Sequence, residues 1–260
     1  MPGHRARKRF GQHFLTDPGV VDAILRAVNA TKDDVVVEIG PGQGAITTAL
    51  AASAGHLHAV ELDRNLASLL RRQYENVENV TIHEADALAF DFASLGDRLR
   101  IVGNLPYNIS TPLLFHLLKL RDRIIDMHFM LQKEVVDRMA AAPGSKAYGR
   151  LGIMLGCHLN IESLFDVDRS AFDPPPEVMS AVVRLDPLPT GTYDIKDDAV
   201  LAKIVASAFM QRRKTIRNSL KDHADIADFE AAGIDSGLRP EQISISKYIA
   251  LSNHLAGSIR

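Results

Sequence analysis

Apolar positions along the first half of the chain alternate between two rhythms. Val20, Val21, Ile24, Leu25 and Val28 repeat at helical spacing and predict an amphipathic helix. Short, continuous β-rich runs follow, each bounded by turn residues: Val35–Ile39, His58–Leu62, Val80–Ile82, Ile101–Gly103 and Met127–Leu131. Runs without polar alternation read as strands buried on both faces, as in a parallel sheet. Helical patterns at Ile46–Ala54 and Leu66–Tyr74 separate them. Strand–helix alternation of this kind predicts a doubly wound α/β sheet. Two later runs, Gly156–Phe165 and Val178–Leu185, lack an obvious helix between them and are expected to pair antiparallel at a sheet edge.

The pattern changes after Asp186-Pro187-Leu188-Pro189-Thr190-Gly191, a polar Pro/Gly-rich stretch. Beyond it the chain reads as helices over Asp198–Met210, Ile226–Ala232 and Ser246–Leu255. The expected division is therefore an α/β domain over 1–187, with a basic lead-in at 1–17, and a small all-α domain over 188–260.

Composition narrows the class. The chain has 260 residues, 46% hydrophobic and 24% charged, enough for one large core or one large and one small. A single cysteine, Cys157, excludes an intrachain disulfide and fits a reducing, cytoplasmic compartment. It lies in the apolar run Leu151–Leu159 and reads as a buried small hydrophobe. No run approaches the roughly 18 apolar residues of a membrane span. The basic N-terminus lacks the apolar segment of a secretory signal. The net charge of −2 announces no polyanion partner, but its distribution does. From Ala199 through Lys221 there are six basic residues and no acidic one, including Arg212, Arg213, Lys214 and Arg217. The lead-in adds Arg5, Arg7, Lys8 and Arg9. Two such runs suit phosphate contacts with RNA, here expected of Arg5, Lys8, Arg9, Arg212, Arg213, Lys214 and Arg217.

The candidate chemistry lies at successive strand ends. Glu38-Ile39-Gly40-Pro41-Gly42-Gln43-Gly44 follows the first strand and opens a helix. Its G-x-G-x-G spacing is not the dinucleotide G-x-G-x-x-G, and Glu38 would repel a phosphate. An acidic residue beside the loop suits a ligand bearing an ammonium group, as S-adenosylmethionine does. Glu61, 21 residues after Gly40, is placed to accept from two ribose hydroxyls, and Asp86 from an adenine amino group.

The fourth strand ends in Asn104-Leu105-Pro106-Tyr107. An adenine N6 is a poor nucleophile because its lone pair is delocalised into the ring. Acceptors that take the amino hydrogens draw the nitrogen towards tetrahedral geometry. The Asn104 side-chain oxygen and the Leu105 carbonyl suit that task, Pro106 stiffens the turn, and Tyr107 offers a stacking face. Downstream, Phe172-Asp173-Pro174-Pro175-Pro176-Glu177-Val178 is a stiff loop. Its Phe172 either covers the other face of the target base or caps the core.

Together EIGPGQG, NLPYNIS, FDPPPEVMSAV, RKRFGQHFL and FMQRRKTIRNSL resemble the ribosomal RNA adenine N6,N6-dimethyltransferases, nearly end to end. QRRKTIRNSL points to the small-subunit enzymes rather than the large-subunit resistance methylases. The resemblance implies a Rossmann-like, seven-stranded class I methyltransferase domain with a small helical domain. It also implies transfer of four methyl groups from S-adenosylmethionine to two adjacent adenines near the 3′ end of small-subunit 16S rRNA. It assigns His13, Leu15, Gly40, Gly42, Glu61, Leu62, Asp86, Ala87 and Asn104 to the cofactor, and Asn104, Leu105, Pro106, Tyr107 and Phe172 to the reaction. His13 stands where such proteins often carry Asn. The expected partner is small-subunit rRNA or its precursor particle, met by a monomer without metal or membrane. Two rival readings are an assembly factor that has lost catalysis and a small-molecule amine methyltransferase. An intact NLPY with Glu61 speaks against the first, and the basic runs against the second.

Overall fold

Asp17 starts the first helix. Its carboxylate accepts from the N–H groups of Gly19 and Val20 at 2.7 and 3.1 Å. Pro18, with no N–H to satisfy, takes the first helical position. In this computed structural model, which describes residues 13–257, that helix is α1 (Pro18–Val28). It follows a two-residue strand, β1 (Phe14–Leu15). Asn29 ends it in the left-handed region, φ 47°.

The predicted alternation then unfolds: β2 (Val35–Ile39), α2 (Thr47–Ser53), β3 (His56–Glu61), α3 (Arg64–Gln73), β4 (Val80–Glu84), β5 (Leu99–Asn104), α4 (Ser110–Leu118) and β6 (Ile124–Gln132). Between β4 and β5 there is only a 3-10 turn, Phe92–Leu95. After α5 (Lys133–Met139) and α6 (Arg150–Gly156) come β7 (Leu159–Val167), β8 (Phe172–Asp173) and β9 (Ser180–Pro187). The main sheet has seven strands in the order β4-β3-β2-β5-β6-β9-β7. β2 through β6 run parallel, and β9 runs antiparallel to β6. β1 pairs with β8 in a separate two-stranded ribbon.

Because β2 lies between β3 and β5, the chain leaves it on both sides. That reversal opens a crevice at the carboxyl ends of the strands, where open α/β sheets bind ligands. The pairings Ile39↔Val60 and Ile39↔Gly103 bring the tips of three strands level. Gly103 is required there, since a Cβ would come within 2.6 Å of the Ile39 carbonyl oxygen. One face of the sheet is sealed by Ile24 and Val28 of α1, Leu50 of α2 and Leu70 of α3. On α4, Leu113, Leu114 and Leu117 are buried.

By its internal contacts the chain falls into two units. The first runs to Val136 and resumes over Glu162–Pro187; the second comprises Asp137–Ile161 and Leu188 onward. The change at Pro187 coincides with the Pro/Gly-rich stretch, whereas Asp137–Ile161 groups with the C-terminal helices. Those are α7 (Asp198–Met210), α8 (Ile216–Ser219), α9 (Ile226–Ala231) and α10 (Ile245–Leu255). α10 packs on α7 and α9, and α6 on α7. The start of the strand expected over Gly156–Phe165 is corrected: Gly156 closes α6, and strand begins at Leu159. Short apolar runs do not separate buried helix from buried strand. Gly156 lies so close to Ile245 that a Cβ would be 2.7 Å from its Cδ1. Cys157 is buried, and burial pushes its thiol up to about 12. Among the described residues no helix is long and apolar enough to cross a membrane.

Candidate active site

The glycine loop turns by left-handed backbone. Gly40, Gly42 and Gly44 have φ of 68°, 58° and 85°. The Gly40 N–H donates to the Val60 carbonyl at 2.9 Å, tying the loop to β3. Gly42 lies under the Phe14 ring, where a Cβ would be 3.2 Å from Cδ1. Its N–H donates to Glu61 Oε2 at 3.1 Å, while Glu61 Oε1 accepts from the Asp63 N–H at 2.8 Å. Glu61 thus ends β3 with its carboxylate clamped between two backbone donors. Burial raises its pKa, and the two N–H groups oppose that.

Glu38 is 1% exposed, and its Oε2 has no hydrogen-bond partner. Burial, reinforced by the nearby Glu61 charge, raises its pKa to about 8. Asp86 follows β4, and its Oδ1 accepts from the Leu88 N–H at 2.9 Å, which fixes the rotamer. Leu62, half-exposed, and buried Ala87 supply apolar surface beside it.

Asn104 ends β5. Its Nδ2 donates to the His13 carbonyl at 3.1 Å, which commits the amide nitrogen and presents Oδ1 as an acceptor. The Leu105 N–H donates to the Met130 carbonyl at 3.2 Å. Ile109 N–H to Pro106 O, at 3.1 Å, closes the turn into α4. The Tyr107 hydroxyl is 2.9 Å from Ser180 Oγ on β9. The His13 ring stacks on Tyr107 at 6.1 Å and 26°, and its Nδ1 is 2.8 Å from the Pro174 carbonyl. One histidine therefore touches both the tetrapeptide and the proline loop.

These residues line one cleft with an empty volume of about 1400 Å³, open to solvent. His13, Leu15, Gly40, Gly42, Glu61, Leu62, Asp86, Ala87, Asn104, Leu105, Pro106 and Tyr107 all reach it. Phe172 is not among the lining residues. It is 4% exposed and lies in the core beside Leu15, its partner in the β1–β8 ribbon. Of its two readings, the cap on the core is the one observed. Ser180 and His128 were not singled out from sequence, and Phe14 only as part of the segment 12–15 that the resemblance assigns to the cofactor. Phe14 and His128 line the cleft, and Ser180 anchors Tyr107. His128 is 1% exposed with neither ring nitrogen hydrogen-bonded, and burial lowers its pKa, keeping it neutral. Ser180 and Phe14 had a signal, their places within FDPPPEVMSAV and RKRFGQHFL. Among the described residues no group of three or more His, Cys, Asp or Glu could hold a metal ion.

Of the expected RNA contacts, Arg5, Lys8 and Arg9 lie outside the described residues. Arg213, Lys214 and Arg217 are exposed on the second unit. Arg212 is instead engaged there, its Nη2 donating to the Lys146 carbonyl at 2.6 Å.

Comparison with known proteins decides the family. The model of the family described as ribosomal RNA adenine dimethylase matches residues 3–257. The chain belongs to that family. A protein of Aromatoleum aromaticum named ribosomal RNA small subunit methyltransferase A is 54% identical over 256 residues, covering 98% of this chain and 96% of its own. A protein of Thiobacillus denitrificans with the same name is 56% identical over 253 residues, covering 97% and 99%. Among solved structures, a dimethyladenosine transferase from Plasmodium falciparum superposes with a TM-score of 0.79 at 26% identity, covering 92% of this chain and 96% of that one. The 23S rRNA methyltransferase ErmE superposes at 0.76 and 24% identity, covering 94% and 99%, which shows the shared fold. As a family member the chain is an adenine-methylating enzyme with a class I methyltransferase fold.

Proposed function

We propose that this dimethylase family member transfers methyl groups from S-adenosylmethionine to the N6 of two adjacent adenines near the 3′ end of small-subunit rRNA. The supporting observation is the Asn104 side chain. Its nitrogen is held by the His13 carbonyl, so its oxygen points an acceptor into the cleft beside the cofactor loop.

The cleft residues fit the cofactor chemically. Glu61 lines the cleft, and each carboxylate oxygen, holding one backbone N–H, has a further lone pair to accept from ribose hydroxyls. Leu62 and Ala87 line the same cleft as Asp86 and offer apolar surface to an adenine ring. Glu38, buried without a partner for Oε2, is complementary to an ammonium group. When bound, S-adenosylmethionine supplies an electrophilic methyl on a sulfonium centre.

The chain's own residues do the rest. Asn104 Oδ1 and the Leu105 carbonyl accept from the two N6 hydrogens, and the lone pair leaves conjugation with the ring. Tyr107, braced by Ser180 and His13, stacks on the base. Once the nitrogen is alkylated its proton is acidic and passes to solvent, so no strong base is needed. Transition-state hydrogen bonds of this kind raise the rate without adding to ground-state affinity. Small-subunit rRNA, free or in a precursor particle, is met by a monomer through the exposed basic residues of the second unit.

Asn104→Ala tests the proposal. At saturating S-adenosylmethionine, its single-turnover rate on under-methylated small subunits falls by about 100-fold or more, as when other preorganised polar groups are lost. Affinity for the subunit stays unchanged, because phosphate contacts supply most of it. A near-normal saturated rate would remove the role of Asn104.

A further inference from the structure

Arg212 stands inside the basic run, yet its guanidinium is tied to carbonyl oxygens of the second unit. Besides the Lys146 carbonyl, its Nη2 reaches the Ser145 carbonyl at 3.5 Å, and its Nε lies 3.7 Å from Glu241 Oε2. The loop it grips, 142–147, is anchored on every side. Gly144, at φ 87°, donates its N–H to the Glu241 carbonyl at 2.6 Å. Ser145 N–H closes a turn on the Ala142 carbonyl at 3.2 Å. Tyr148, 1% exposed, donates its hydroxyl proton to the Ile243 carbonyl at 3.0 Å. The restrained loop still leaves Lys146 in solvent, and Arg150, at the start of α6, is exposed beyond it.

The surrounding backbone carries more of the same charge. Ile216 N–H donates to the Leu238 carbonyl at 2.6 Å, and Arg217 N–H to the Ser236 carbonyl at 3.3 Å. Segments 142–150, 211–217 and 236–241 are thus linked by hydrogen bonds. Between them they expose Lys146, Arg150, Arg213, Lys214, Arg217 and Arg239. Their only carboxylate is Glu241, occupied by Arg212. Clustered like charges destabilise a fold unless a polyanion offsets them.

We infer that Lys146 and Arg150 are phosphate-contacting residues of the RNA-binding surface, and that Arg212 is a positioning residue that holds the loop carrying Lys146, just ahead of α6 and its first residue Arg150. The inference deepens the proposed function by extending its RNA contacts to a segment that precedes β9 in sequence. Each cation that neutralises a phosphate releases counterions, so its removal lowers the salt dependence of binding.

The probe is under-methylated small subunits, titrated with full-length protein across a salt series. Lys146→Ala/Arg150→Ala should weaken binding by about 10-fold and lower the log–log salt slope by about 2, one per phosphate contact. Melting temperature and S-adenosylmethionine affinity should match the wild type, and Lys146→Arg should bind normally. Arg212→Gln should weaken RNA binding in the wild-type background and add little to Lys146→Ala/Arg150→Ala, since it acts through the loop that carries Lys146 and leads into α6. Wild-type affinity and slope in Lys146→Ala/Arg150→Ala, with methyl transfer intact, would overturn the inference and leave the proposed function standing. Full additivity of Arg212→Gln would overturn its positioning role. Absence of both binding and methyl transfer by the wild-type protein would overturn the function and the inference together.

Discussion

Glu38 shows how burial sets the charge of a single residue. Its carboxyl holds a proton to about pH 8 because it is desolvated and lies near Glu61. The unfolded chain loses that proton near the ordinary glutamate value of 4.5. Between these values the folded state binds more protons, so this group's contribution to stability falls as pH rises from about 4.5 to about 8. A cationic ligand facing Glu38 favours the carboxylate, so binding should expel the proton. Calorimetry near pH 7 in buffers of different ionisation heat should register proton release when S-adenosylmethionine binds. Glu38→Gln should abolish that release, weaken the cofactor and raise the melting temperature of the cofactor-free protein at pH 8. Equal heats in all buffers for the wild type would show that Glu38 does not face the ammonium group. At the same scale, His13 illustrates a main-chain effect, since its carbonyl, not its ring, orients Asn104.

At the scale of elements, the edge formed by β3 and β4 carries an unusual filling. The rings of His56 and His58 lie 4.4 Å apart and those of His58 and His83 5.2 Å apart, each pair tilted by 43°, and His83 meets Phe90 at 5.0 Å. These rings occupy the region where the link from β4 to β5 supplies one 3-10 turn in place of a helix. His58 Nδ1 and His83 Nε2 are 3.1 Å apart, so one of the two must accept. Burial, with the neighbouring His56 and His83, lowers the His58 pKa to about 4. A depressed histidine stabilises the fold above its unfolded value of 6.5, and that stability is lost as pH falls from there towards 4. Denaturant titrations should therefore show stability declining between about pH 6.5 and 4, with a shallower decline in His58→Phe. Parallel pH profiles for the two proteins would show that the histidine cluster is not the acid-labile element. Arg71 also faces His83 and is paired with Glu84 at 3.0 Å, so its charge is shared.

At the scale of the whole molecule, chemistry and charge belong to different parts of the chain. The cleft is built from residues of the first unit, whereas the exposed Arg213, Lys214 and Arg217 belong to the second. Changing those three to Ala should weaken subunit binding and reduce its salt slope by about 3, with S-adenosylmethionine affinity untouched. An unchanged slope, read by the same salt series, would make the run an ordinary solvated face. Arg212 is left out of that set because its loss would act on the 142–147 loop as well as on charge.

What the sequence determined by itself was local. Apolar runs bounded by turn residues marked β2, β3, β5 and β6, and glycine spacing marked a loop that needs positive φ. NLPY marked a polar turn at a strand end. Each of these signals lies within a few residues, where backbone sterics and side-chain periodicity dictate the outcome. What only the tertiary structure decided involves residues far apart in the chain. Tyr107 meets Ser180 across 73 positions, Asn104 meets His13 across 91, and Arg212 meets Lys146 across 66. Periodicity tells that a face is buried but not what buries it. Phe172 was therefore open to two readings until β8 was seen to pair with β1. Asp137–Ile161 joined the helical unit for the same reason: its apolar positions are covered there by helices that begin more than thirty residues later. Local pattern specified the elements and the chemistry at their tips, and long-range packing chose which side chains were committed to structure and which were left to meet a ligand.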